Sequence, residues 1–291
     1  MPALSKKMEP MFAVVANVNI GMCEIRKLIA FIIRPRPSQR TAVYTHVMRI
    51  TVTAFVLSLP CTATYIIVRR DYGQIIVGAD SKVIREITHS NGKKKEVIER
   101  TECKIKTLQP DLFAAAAALA REPFSNYDAF IMLKKIASSR IGRDVIPVFV
   151  ESVKAPLAKA VEVIDQRTLG GFQSKYFGGL VLEVEVFGRI SNSVFADRAR
   201  FFASSDARHH ISIKSEILRC PGDCPDVGFL QMGGEEVLLP SIWSNGQIEG
   251  VRRALAQSIK GHSKIVGPPI SIIKITPERS EWIEPGICSQ K

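Results

Sequence analysis

Thr64 stands directly behind a segment laid out like a removable export signal, and that position is what could make it reactive. Met48-Arg49 supplies a short charged start, Ile50 to Leu59 an apolar run, and Pro60-Cys61-Thr62-Ala63 a small-residue end, with Cys61 and Ala63 small enough for the usual cleavage rule. Cleavage after Ala63 would leave a threonine as the first residue of the chain. A threonine hydroxyl is a poor nucleophile until a nearby base takes its proton. A free α-amine on the same residue, with an ordinary pKa of about 7.7–8.0, can serve as that base near neutral pH. The apolar run has a plainer reading as a first core strand.

Other residue types that could carry chemistry are less well placed. Cys220 and Cys224 bracket Pro-Gly-Asp, a turn that could close a small disulfide in an oxidising compartment or leave two free thiols. A metal site would need two further ligands close by, and there is no partner CxxC or HxxxH. His209 and His210 are adjacent on an expected strand, so their side chains would face opposite ways. His89 falls in an expected hairpin tip. There is no G-x-S-x-G elbow and no Gly-rich phosphate loop.

An ordered set of motifs begins at the same threonine. Thr64-Tyr-Ile-Ile-Val-Arg-Arg-Asp-Tyr-Gly-Gln-Ile-Ile-Val-Gly-Ala-Asp80-Ser81-Lys82 resembles the opening of proteasome β-type subunits, including the interval between threonine and aspartate. Cys103-Lys104-Ile105 is similar to that family's catalytic lysine motif. Leu112-Phe-Ala-Ala-Ala-Ala-Ala-Leu-Ala120 is similar to its Ala-Ala-Ala-Gly-Leu segment, and Val266 to Ile275 resembles the end of exported bacterial proteins of this kind. The likeness covers residues 64–120 well and 176–283 loosely, through strand order.

The resemblance implies an N-terminal-nucleophile hydrolase of α+β class, a four-layer αββα sandwich of two mainly antiparallel sheets. Thr64 would be the nucleophile and its α-amine the base. Lys104 would favour loss of the amine and hydroxyl protons, Asp80 would hold and aim Lys104, and the Ala118 N–H would face the developing oxyanion. The substrate would be a peptide or small amide, with no metal or organic cofactor, and assembly into a homo-oligomer is left open. Three departures stand out. Ala118 replaces a glycine, Met232-Gly233-Gly234-Glu235 lies where a Gly-Ser-Gly turn is usual, and Ser263 to Gly267 lacks the aspartate of a late Asp-x-x-Ser-Gly element. The alternative is a catalytically inactive member acting in binding or assembly, as α-type subunits do. Taken singly, Thr64 reads as a strand threonine, Asp80 as a turn or cap residue and Lys104 as a surface lysine.

The elements that must position these residues can be read from periodicity. Thr64–Arg70 and Gln74–Val77 read as a hairpin about Asp71-Tyr72-Gly73, and Val83–Ile87 and Glu96–Ile98 as another about Ser90-Asn91-Gly92. Strands are expected at 104–108 and 112–119. A helix is expected after Ser125, with Ala129, Phe130, Leu133, Ile136 and Ala137 on one face. A second is expected after Asp144, kinked at Pro156. Strands follow at 182–187, where Leu182, Val184 and Val186 would be buried and Glu183 and Glu185 solvated. Further strands are expected at 194–203, 209–218 and 227–232, then a helix at 248–260 and a last strand at 270–275. This order suggests stacked antiparallel sheets with helices outside, not a wound βαβ sheet.

Bulk composition agrees with one such domain. The 291 residues are 46% hydrophobic and 23% charged, an ordinary globular balance. Residues 1–47 show no domain-like period and read as an extension before a start at Met48, 48–63 as signal peptide, and 64–291 as one domain, periplasmic or secreted. The net charge of +12 could invite a nucleic-acid reading, but half the excess lies before residue 64 and the rest is scattered without an aromatic-basic stripe. No nucleic-acid partner is expected. Nothing after residue 63 has the run of about 20 apolar residues that a membrane span needs.

Overall fold

A computed structural model describes residues 64–88, 95–168, 171–207, 209–233 and 238–288. The expected extension over 1–47 and signal over 48–63 lie outside the described residues. So do His89, the Ser90-Asn91-Gly92 tip, Gly234 and Glu235.

The chain opens on the expected hairpin, β1 (Ile66–Asp71) and β2 (Gln74–Ala79), with Gly73 at φ 78° in the turn. Next come the paired β3 (Lys82–Thr88) and β4 (Lys95–Thr101), then β5 (Ile105–Gln109) and β6 (Leu112–Ala118). A two-residue ladder of β7 (Arg121–Glu122) and β8 (Tyr127–Asp128) leads into helix α1 (Ala129–Ala137). The start of α1 is set by Asp128, whose carboxylate accepts the N–H groups of Phe130 and Ile131, and not by Ser125. Helix α2 (Val145–Arg167) runs on through Pro156, where the sequence predicts a kink. Its Val145, Ile146, Phe149, Val153, Leu157, Ala160 and Val161 are fully buried and form one apolar stripe.

The second half is β9 (Leu180–Ile190), β10 (Ser193–Ser205), β11 (Ile211–Cys220), β12 (Gly228–Met232), α3 (Gln247–Gly261), β13 (Ser271–Ile275) and β14 (Ser280–Glu284). Strand β14 lies beyond the last strand that the sequence predicts. His209 and His210 precede β11 in a turn, where the His209 N–H donates to the Asp206 carbonyl and the His210 N–H to the Asp206 carboxylate. They are not on a strand, so alternation does not fix their directions.

One sheet runs β12-β1-β2-β13-β14 and the other β11-β10-β9-β6-β5, and every pairing among the described strands is antiparallel. Three apolar clusters organise them. Tyr65, Ile67, Ile76 and Ile272 pack with Val251, Ala254 and Leu255 of α3. Ile66, Val68, Val77 and Ile273 of the first sheet pack with Phe113, Ala115, Ala117 and Phe187 of the second. Leu112, Ala114, Ala116, Leu182 and Val184 pack with the stripe of α2. The alanine run thus divides between two interfaces, Ala114 and Ala116 on one face of β6 and Ala115 and Ala117 on the other.

Strand β9 departs from expectation. Glu183 and Glu185 share the face of Phe187 and are buried, Glu185 completely. Alternation gave the correct faces, but the face carrying the carboxylates meets the other sheet instead of water. Cys220 and Cys224 form a disulfide, one of the arrangements left open above. Cys103 and Cys288, 185 residues apart in the chain, form another that sequence reading missed.

Candidate active site

Asp80 directly follows β2 and is fully buried, where a carboxylate must find donors or lose its charge. It finds four. Oδ1 accepts the Tyr65 N–H at 2.8 Å and the Lys104 ammonium at 2.6 Å. Oδ2 accepts the Lys82 N–H at 3.1 Å and the Gly267 N–H at 3.2 Å. The adjacent backbone closes the same knot, with Ser81 N–H donating to the Gly267 carbonyl and Glu102 N–H to the Ser81 carbonyl. Strand β1, strand β5 and the loop before β13 are therefore joined at one side chain.

Lys104 sits just ahead of β5 and is itself buried. Burial pushes its ammonium pKa below the ordinary value, and the adjacent Asp80 carboxylate pulls it back up. Such a lysine is a compact cation with a softened hold on its proton. Its residue neighbour Cys103 is tied through the disulfide to the chain beyond β14.

Thr64 is half-buried. The peptide that follows it supplies the Tyr65 N–H on Asp80 Oδ1, so that N–H and the Lys104 ammonium meet on one carboxylate oxygen. Behind it lies Gly233, at φ 76°. A Cβ there would stand 2.0 Å from the Thr64 carbonyl oxygen. Only glycine fits so close a backbone approach in that conformation.

Ala118 closes β6 in a left-handed conformation at φ 66°, one that glycine adopts without strain. The Leu119 N–H donates to the Val181 carbonyl at 2.8 Å, so by strand alternation the Ala118 N–H faces the opposite edge. There β5 begins only at Ile105, opposite Ala115, which leaves the end of β6 beyond the last pair of that ladder.

The structure thus joins Asp80, Lys104 and the residue after Thr64 through one carboxylate, and sets Ala118 at the end of β6 with its amide on the β5 side. Two contributors had no side-chain signature. The segment Ser263 to Gly267, which holds no aspartate, brings the Gly267 N–H to Asp80 and the Ser263 carbonyl to Lys82 Nζ, at 2.8 Å. Gly233 was visible only as a misfit to a serine turn.

No family model matches the chain, and no curated protein matches it. Among solved structures it is similar to the Anbu (Gly-1) mutant from Hyphomicrobium sp. strain MC1, at 13% identity over 76% of this chain and 87% of that one, with a TM-score of 0.42.

Proposed function

We propose that residues 64–291 form an N-terminal threonine hydrolase with a four-layer αββα architecture, acting on amide or peptide bonds in a periplasmic or secreted setting. The Asp80 carboxylate carries this reading, since it holds the Lys104 ammonium and the Thr64–Tyr65 peptide on the same oxygen. Once the bond before Thr64 is cut, its α-amine takes the hydroxyl proton as Oγ1 attacks the substrate carbonyl carbon. The Lys104 charge favours the unprotonated amine and the developing alkoxide. The tetrahedral oxyanion meets the Ala118 N–H. Collapse of the intermediate breaks the C–N bond, the leaving amine takes the proton from the α-ammonium, and an ester remains on Thr64. Water, deprotonated by the same amine, hydrolyses that ester and restores the threonine. Every proton in the cycle passes through groups of Thr64, so no cofactor is needed.

A second reading is a catalytically inactive protein of the same fold, acting in binding or assembly. The Ala118 methyl, at the end of β6 where the family has glycine, favours it.

The deciding experiment expresses the chain from Met48 in an export-competent bacterium and reads the mature N-terminus and intact mass. A peptide epoxyketone, which consumes a hydroxyl and an α-amine of one residue, is then offered to the product. A chain beginning at Thr64 that gains one probe, with no gain in Thr64→Ala, is the expected result. A mature chain from Thr64 that stays unmodified by epoxyketones of varied sequence turns the assignment to the inactive reading.

A further inference from the structure

We propose that Glu183 is a positioning residue for Thr64, acting through the backbone of Gly233; this rests on the threonine-hydrolase reading above. Glu183 projects from β9 into the space between the sheets and is only 4% exposed. Its Oε1 accepts the Arg198 guanidinium, and also the Arg200 Nε–H at 3.0 Å. Its Oε2 accepts the Gly233 N–H at 3.3 Å. Arg198, buried as well, spends a further N–H on the Gln231 carbonyl at 2.7 Å. The end of β12 is therefore fastened to the opposite sheet at two points, Gln231 and Gly233, by one ion-paired unit.

That fastening reaches the candidate nucleophile directly. Gly233 has no room for a Cβ because the Thr64 carbonyl lies against it, at 2.0 Å from where the Cβ would be. On the next residue, the Tyr65 hydroxyl accepts an N–H from the Gln231 side chain at 3.1 Å. Displacing Gly233 must displace Thr64, whereas the Asp80 knot grips only the far side of the same peptide. Thr64 is thus held between two carboxylates, Asp80 through Tyr65 and Glu183 through Gly233.

Stability alone does not favour this arrangement. A well-packed apolar side chain at a buried ion-paired position is often as stable or more so. What a carboxylate adds is direction, because its two oxygens accept along fixed lines from Arg200 on one side and Gly233 on the other. The role requires that direction, since shifting a reacting group by 1 Å can slow a reaction about hundredfold.

The test compares epoxyketone labelling of the processed full chain in wild type, Glu183→Gln and Arg200→Gln, with melting curves confirming the fold. The maximal labelling rate and the probe concentration at half rate are measured separately. Glu183→Gln is expected to label about ten- to hundredfold more slowly, with the half-rate concentration and the final labelled fraction unchanged. A purely structural role would lower the labelled fraction instead. A folded Glu183→Gln that labels at the wild-type rate overturns the positioning role and leaves the hydrolase reading intact. A wild type that does not label overturns both. Should Glu183→Gln fail to fold, Arg200→Gln decides, because its half-exposed side chain holds Oε1 and so aims Oε2 at Gly233. It is expected to slow labelling several-fold, and an unchanged rate overturns the proposal.

Discussion

Tyr65 and Asp80 hold each other twice: the Tyr65 N–H donates to the Asp80 carboxylate at 2.8 Å, and the Asp80 N–H donates to the Tyr65 carbonyl at 3.2 Å. The same carboxylate carries Lys104, so the first described residues of the chain cannot shift without disturbing a buried ion pair. Removing one partner of such a pair strands the other. Asp80→Ala is therefore expected to lower the unfolding free energy by about 3–5 kcal/mol, read from urea transitions. A loss below about 1 kcal/mol, within the range of exposed ion pairs, would mean that the knot is not structural.

Ala118 sits in a left-handed conformation that an L-residue occupies at a penalty of about 1–2 kcal/mol. Ala118→Gly relieves that strain but loosens the unfolded chain, so the net gain expected is about 1 kcal/mol or less. It should also admit substrate more readily at the end of β6. Denaturant midpoints and labelling rates check the two effects separately. A destabilised Ala118→Gly would show that the methyl contributes packing that outweighs the strain.

Glu185 is fully buried on β9, and neither of its carboxylate oxygens has a hydrogen-bond partner among the described residues. Burial pushes its pKa up from 4.5 to about 8, against the pull of Arg198 and with a further push from Glu183 and Asp197. The folded chain then keeps a proton that the unfolded chain releases. Its contribution is fully present below about pH 4.5 and is lost as pH rises toward 8. At about 1.4 kcal/mol per pH unit, a few kcal/mol disappear by neutrality. Glu185→Gln should flatten this slope and exceed the wild type in stability at pH 7. Parallel slopes for the two proteins in pH-dependent urea melts would refute the assignment.

The Cys103–Cys288 disulfide closes a far longer loop than Cys220–Cys224, across 185 residues against four. In the chain-entropy account the longer loop restricts the unfolded chain more. Cys288→Ser is expected to lose about 2–5 kcal/mol, and Cys224→Ser distinctly less. Unfolding curves of the two variants without reductant rank them. Because Cys103 adjoins Lys104, Cys288→Ser should also slow Thr64 labelling.

Much of the architecture was legible in local pattern. Short β-branched runs on either side of Asp71-Tyr72-Gly73 marked the β1–β2 hairpin. The stripe of Phe149, Val153, Leu157 and Val161 marked α2, and the order of elements pointed to antiparallel sheets. These signals survive in one dimension because each depends on neighbours a few residues away. Helix α2 ran through Pro156 because its buried stripe outweighs one lost backbone bond. Strand β14 escaped notice because its apolar content, Trp282 and Ile283, is too short to show a period.

The candidate site divides along the same line. Thr64, Asp80, Lys104 and Ala118 came to attention through the resemblance of their motifs to a known family, because taken singly each residue type is ordinary. Four features needed the folded chain. They are the Gly267 amide on Asp80, the Gly233 contact with Thr64, the burial of Glu183 and Glu185 between the sheets, and the bridge from Cys103 to Cys288. Each joins residues far apart in the chain, several through backbone atoms that every residue type carries. A main-chain N–H has no signature in an amino-acid alphabet, and a sheet face becomes buried only when another sheet covers it.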